Sequence, residues 1–396
     1  MLVEFRVKNY GCFRDEQVLS FVPVREKSLQ EENIYKTGCV DIQALLLVAV
    51  VYGANGGGKS TLLSALQSML AISSFAEETD TTYRIPVKPF LFDEESRKNP
   101  TEFEIFFLHE GYIYQYVFSC TEDRILDEYL FCYAKTRRQT IFDRHYDKIN
   151  DTYVYKFGKY LHGKKKTLCT LTNEKNTFLC IAAKKNNQLF SVWSKLISLL
   201  TVITKKNFPD NKTVNKNILT DKILKDRICS FFYSSDIPIK DIEINTNNEN
   251  YIALFKYEKN DNKFFITEED ESYGIIQLYK YLHEILNALE KGSVICIDNM
   301  DSGLHPILME RLVYTFQMRK RNPYGAQLLF STHDISLLRN DPQILRRDQI
   351  WFVERHSDLS SHLYSLAEFR RSRETDFAKI YMNGLVGGVP TLSDWE

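Results

Sequence analysis

Hydrophobic and polar positions change their rhythm several times along this chain, and each rhythm predicts a different element. Leu2 to Val7 alternates as an edge strand does, and Gly11-Cys12-Phe13 breaks the alternation. The longest apolar run, Ala44 to Val51, is too short to cross a bilayer and predicts a buried strand. That run leads directly into a glycine-rich loop. Beyond it, Leu62, Leu63, Leu66 and Leu70 recur at helical spacing between Ser60 and Ala71. Phe103–Phe107 and Tyr112–Phe118 read as paired strands around His109-Glu110-Gly111. The following residues, to about 235, are rich in lysine and asparagine, with a helix predicted at Leu189–Ile203 and no sustained heptads that would make a coiled-coil arm. From Asp236 the order returns. Ser293–Asp298 and Ala326–Ser331 are short apolar strands separated by a helix at about 306–319. Strands and helices in this alternation predict an α/β fold built on a parallel core sheet, with an antiparallel β subdomain.

Charge refines the organisation. The chain has 396 residues and a net charge of −1, yet residues 135–227 contain 21 Lys/Arg against 7 Asp/Glu, a local charge of +14 that leaves −15 elsewhere. The expected division is therefore 1–134 as the first half of a head, 135–235 as an inserted basic, mainly helical lobe, and 236–396 as the second half. Such asymmetry suits a polyanionic or acidic partner, and equally a lysine-rich solvated surface. The cluster Lys164-Lys165-Lys166 is the natural place for nucleic acid to bind. The eight cysteines form no CxxC pair and no spacing suited to zinc, as expected of small core residues in a reducing cytoplasm. Met1 to Phe5 lacks the features of a secretion signal.

The chemistry is concentrated in Gly53-Ala54-Asn55-Gly56-Gly57-Gly58-Lys59-Ser60, a P-loop that follows a strand and opens a helix as the pattern requires. Successive backbone N–H groups wrap phosphates there, and the helix N-terminus adds its dipole. Lys59 is placed to reach the β- and γ-phosphates of ATP, and Ser60 to ligate Mg²⁺, with Thr61 completing the loop. Ile295-Cys296-Ile297-Asp298 is an apolar strand ending in a second candidate Mg²⁺ ligand, Asp298.

Glu271-Ser272-Tyr273-Gly274, Asp301-Ser302-Gly303-Leu304-His305-Pro306 and Phe330-Ser331-Thr332-His333-Asp334 join these in an order that resembles the ABC-type ATPase heads of SMC and RecF proteins. By that resemblance Ser272 and Gly274 are a signature acting in trans on a second protomer's nucleotide, Ser302 lies in the loop crossing between protomers, and His333 senses the γ-phosphate. Taken singly, Ser272 is a helix N-cap, His305 a turn residue and His333 a satisfied strand-end histidine. Tyr112-Ile113-Tyr114, Ile125–Leu130, Pro238–Ile242 and the segment Asp376–Pro390 further resemble bacterial AbiL/RloA-type AAA ATPases. That resemblance implies antiphage abortive infection and a separately encoded effector; the trans signature of the SMC and RecF heads implies a homodimer or larger homo-oligomer, and the short apolar runs predict no membrane partner.

The chain departs from the family pattern at three places. Asn299 stands where a glutamate polarises the attacking water, Ile275 where threonine is usual, and no glutamine in Lys88–Phe92 serves as a Q-loop. Gln115 lies too deep in a strand for that role. An amide cannot accept a proton as a carboxylate does, so hydrolysis is expected to be slow. A RecF-like DNA maintenance ATPase is the competing reading. A small-molecule P-loop kinase leaves Ser272-Tyr273-Gly274 and His333 unexplained.

Overall fold

A computed structural model describes the chain except residues 26–28, 30, 76–82, 136, 186, 248–249, 340–341, 370–375 and 391–396. Two large sheets organise it. The core sheet runs in the order Leu200–Ile203, Val294–Ile297, Gln327–Ser331, Val48–Gly53, Ile350–Arg355, Ser361–Ser365. Its first five strands are parallel and the last pairs antiparallel. Val48–Gly53 is buried at every position, which explains its unbroken apolar sequence: helices and the second sheet cover both faces. The second sheet is antiparallel and joins Thr101–His109, Tyr112–Cys120 and Ile125–Ala134 to the N-terminal strands Leu2–Lys8 and Gln17–Ser20. The helix Lys59–Ser74 buries Leu62, Leu63, Leu66 and Met69 in the core shared with that sheet. A three-stranded sheet, Asp241–Asn247, Asn250–Lys259 and Asn262–Thr267, precedes the long helix Tyr273–Lys291.

Three expectations change. The apolar run from Ala44 is two strands: Ala44–Leu46 pairs with Ile34–Lys36, and Leu47 donates to the Asn33 carbonyl before the core strand begins. The helix predicted to end at Ile203 stops at Leu199, and Leu200–Ile203 becomes the outer strand of the core sheet. The β-branched Thr201, Val202 and Ile203 favour that conformation, and the Ile203 carbonyl accepts the Asp298 N–H at 2.9 Å.

The basic stretch 135–235 is no separate lobe. Arg137–Asp147 and Thr152–Phe157 extend the antiparallel sheet to seven strands. The helices Phe178–Lys185 and Asn187–Leu199 place Leu179, Leu189 and Leu196 in the same core as Leu66, whereas Asn211–Thr220 and Lys222–Ser234 pack Ile218 and Ile228 with the helix Tyr273–Lys291. A fully buried ion pair ties these parts together. Arg144 Nη1 lies 3.3 Å from Glu128 Oε2 and also donates to the Asn176 carbonyl at 2.7 Å, while Nη2 donates to that of Asn173 at 2.8 Å. Glu128 in turn accepts the N–H groups of Phe178 and Leu179, at 2.6 and 2.9 Å, and the Tyr116 hydroxyl at 2.9 Å. Burial raises the Glu128 pKa, and Arg144 opposes the rise.

Candidate functional site

The core strand Val48–Gly53 delivers the P-loop to the carboxyl edge of the sheet, where an open-sheet fold binds ligands. The loop is pressed against its neighbour Ile350–Arg355 so closely that side chains are excluded. A Cβ on Gly53 would lie 2.5 Å from the Val353 carbonyl oxygen, and one on Gly58, whose φ is +125°, would lie 2.7 Å from Cys12 Sγ. The helix that follows has no side chain capping its first turn and no acidic residue there, so its N–H groups and dipole face the loop unshared by protein carboxylates. A glycine cradle under an uncapped helix of 16 residues fits a polyphosphate.

Around the loop lies a cavity of about 330 Å³, bordered by Ala54, Asn55, Gly56, Gly58, Lys59, Ser60 and Thr61, and across from them by Asn299 and His333. Lys59 is only 6% exposed. Its Nζ donates to the Gly53 carbonyl at 2.7 Å and to that of Ala54 at 3.2 Å, and a phosphate in the loop competes with these acceptors. Burial lowers its pKa, and Asp298 and Asp301 oppose the shift. Asp298 ends the strand Val294–Ile297 and accepts the Ser331 hydroxyl at 2.7 Å. That hydroxyl accepts the Asn299 N–H at 2.8 Å. Ser60 is exposed and borders the cavity, whereas Asp298 does not line it; both carry the hard oxygen donors that Mg²⁺ takes.

Asn299 sits at φ = +51°, in the left-handed region. Asparagine tolerates that conformation better than glutamate does, which gives a backbone reason for the departure at this position. His333 has its pKa lowered by lost hydration first and by Lys59 second, with Asp301 and Asp298 opposing. The His333 backbone N–H donates to Asp301 Oδ2 at 3.2 Å, and Asp301 Oδ1 is buried without a partner among the described residues. Asp334, by contrast, is engaged: its carboxylate accepts from the N–H and hydroxyl of Ser336.

Ser272, Gly274 and Ser302 come together elsewhere. Ser272 caps the helix Tyr273–Lys291, its Oγ accepting the Ile275 N–H at 3.4 Å. A Cβ on Gly274 would lie 2.4 Å from the Gly303 carbonyl, so the two loops interlock, and the Ser302 N–H donates to the Asn299 carbonyl at 3.0 Å. None of the three borders the cavity of its own chain. His305 accepts the Ile307 N–H ahead of Pro306, a capping role. The segment around Lys88 is structural: its carbonyl accepts the Gly11 N–H, and the Phe90 N–H donates to Asn9, steadying the turn that carries Cys12. Gln115 is held in the antiparallel sheet by Glu104 and Tyr133. Lys164 and Lys166 are exposed, and Lys165 Nζ lies 5.4 Å from the Phe157 ring centroid.

Two features escaped the sequence. Arg355, at the end of the strand Ile350–Arg355, borders the cavity, as does Cys12. The only hint was a basic residue closing an apolar strand. The segment Asp376–Pro390 lies behind the P-loop: the Tyr381 ring is 5.6 Å from Tyr52, and a Cβ on Gly388 would be 3.7 Å from Gly53 Cα.

Among solved structures, the chain is similar to an SMC head bound to the C-winged helix domain of ScpA, at 12% identity and a TM-score of 0.41, covering 92% of this chain and 97% of that one. It is also similar to a dimeric post-hydrolysis ATP-binding cassette bound to ADP and Pi, at 11% identity and a TM-score of 0.34, covering 92% and 100%. No curated protein matches. Residues 48–176 and 195–339 match the family described as "AAA domain, putative AbiEii toxin, Type IV TA system". That span takes in the P-loop, both ends of the basic stretch, Ser272, Asp298 and His333, and the chain belongs to this AAA family of ATP-binding domains.

Proposed function

We propose that the chain is an ATP-controlled regulator in a bacterial antiphage, abortive-infection system, which binds Mg²⁺–ATP tightly, hydrolyses it slowly and acts on a separately encoded effector. The carrying observation is the convergence of the glycine cradle, the uncapped helix, Lys59, Asn299 and His333 on one cavity. Backbone N–H groups and Lys59 hold the phosphates, and His333, whose lowered pKa favours the neutral ring, donates one hydrogen bond to the γ-phosphate. Ser60 and Asp298 hold the Mg²⁺, which neutralises phosphate charge when bound. Ser272, Gly274 and Ser302 lie off their own cavity, as groups serving a partner's nucleotide in a homodimer would. The defence assignment draws on the family's description and on the AbiL/RloA resemblance. Lys59→Ala tests the site: calorimetry should show ATP affinity reduced at least about 100-fold, since charge-assisted phosphate contacts are lost. Unchanged affinity refutes the assignment.

The second reading, a RecF-like DNA ATPase, is favoured by the exposed Lys164 and Lys166. Reversing Lys164, Lys165 and Lys166 to glutamate should then weaken DNA binding and flatten its salt dependence by up to about three phosphate contacts. If the cluster serves an acidic effector instead, the variant loses that protein and DNA binding is absent throughout.

A further inference from the structure

We infer that Arg355 is a phosphate ligand of this site, contacting the α- and β-phosphates of the bound nucleotide from the strand beside the P-loop. The inference rests on the nucleotide reading above and adds a residue and a position to it.

The strand Ile350–Arg355 is held tightly against the P-loop. The Val353 carbonyl occupies the space that Gly53 and Gly57 leave open, at 2.5 and 3.1 Å from where their Cβ atoms would be. The Val353 side chain meets the loop as well, its Cγ1 lying 3.0 Å from where a Gly58 Cβ would be; strand residues two apart share a face, so Arg355 projects on that same side. Glu354 faces the other way and meets the C-terminal turn: a Cβ on Gly387 would lie 2.4 Å from Glu354 Oε2. Strand pairing with Ser361, whose N–H donates to the Cys12 carbonyl at 2.8 Å, fixes the strand end. Arg355 Nη1 thereby comes to 4.0 Å from the position of a Gly56 Cβ, at the cavity's edge.

The guanidinium is exposed and uncommitted. It has neither ion pair nor hydrogen bond among the described residues, and the carboxylate three positions on, Asp358, is paired with Arg14 at 3.0 Å. Lys59 is buried against two carbonyls, so Arg355 is the cation of the cavity with no protein acceptor. The P-loop backbone near Gly56 is the part that cradles α- and β-phosphates, whereas the lysine reaches the β and γ. A planar guanidinium matches phosphate oxygens bidentately.

The test is calorimetry on the full chain with ATP, ADP and adenosine, comparing wild type, Arg355→Gln and Arg355→Lys. Arg355→Gln should weaken ATP and ADP alike by roughly 10- to 100-fold, the range for hydrogen bonds to charged groups, and leave adenosine unchanged. Arg355→Lys should recover part of the loss, because a point charge replaces the fork. Wild-type affinity in Arg355→Gln, or a loss confined to ATP, overturns this inference while the P-loop reading stands. A wild-type chain that binds neither nucleotide overturns both.

Discussion

Replacing Asn299 with glutamate sets two effects of known sign against each other. The position borders the cavity and its backbone sits at φ = +51°. A left-handed conformation costs an ordinary L-residue about 1–2 kcal/mol, a cost asparagine partly escapes. Unfolding entropy of roughly 2 cal/mol/K per residue over 396 residues turns that cost into a Tm decrease of about 1–2 °C. Against this, a glutamate carboxylate beside Asp298 and His333 restores a proton acceptor for water. General-base groups contribute about 10²–10⁴ in rate, and imperfect placement at a strained backbone should leave an increase of tenfold or more. Asn299→Asp separates the terms, because aspartate tolerates the left-handed region but is one methylene shorter. Steady-state phosphate release and a melting scan on the three proteins supply both numbers. The expected order is wild type slowest and Asn299→Glu fastest with the lower Tm. Brisk wild-type turnover that falls in Asn299→Glu refutes the slow-ATPase reasoning and transfers the base role to another carboxylate, for which Asp301, the acceptor of the His333 backbone N–H, is the candidate.

Ser272→Arg should abolish an ATP- and Mg²⁺-dependent dimer in a sizing experiment while ATP affinity stays near wild type, because Ser272 borders no part of its own cavity; an identical oligomer in both proteins refutes the trans role. Arg144→Met leaves Glu128 buried without its cation and should cost about 3–5 kcal/mol, read by calorimetry, with Arg144→Met/Glu128→Gln recovering part of the loss. The lowered His333 pKa means that the unfolded chain binds more protons just below the ordinary imidazole value of 6.5, so this residue's contribution is complete above that pH and declines as pH falls toward the folded value. Urea titrations between pH 5 and 8 should therefore show a shallower acid decline in His333→Gln, and parallel curves refute the assignment.

How legible all this was depended on whether a signal was local. The P-loop, its strand and its helix are contiguous, and glycines at 53, 56, 57 and 58 announce both conformation and ligand. The place of His333 at the cavity was legible because it follows the apolar strand Gln327–Ser331 by two residues. Leu200–Ile203 was not, since four residues after a helix read as its last turn until a neighbouring strand supplies hydrogen bonds. The boundary at 135 failed for a related reason: charge marks the solvent face of Arg137–Asp147, but pairing with Ile125–Ala134 decides what the strand belongs to. Arg355 acquires meaning only through Val353, and the left-handed backbone of Asn299 only through the turn that Ser331 holds.

The place of Val48–Gly53 in the core sheet has a consequence for synthesis on the ribosome. Val48 pairs with Leu328 and Val50 with Ile350, so both flanking strands of the P-loop strand emerge some 280 to 300 residues after it. At about 5–20 residues per second this apolar strand waits roughly 15 to 60 seconds with both edges unpaired. Its closure then joins chain segments almost as far apart as the sequence allows, an intrinsically slow kind of contact. During that interval the newborn chain presents an apolar strand with unpaired edges, the kind of surface that aggregates. A fragment released before residue 350 contains the whole P-loop motif yet lacks the strand that shapes it.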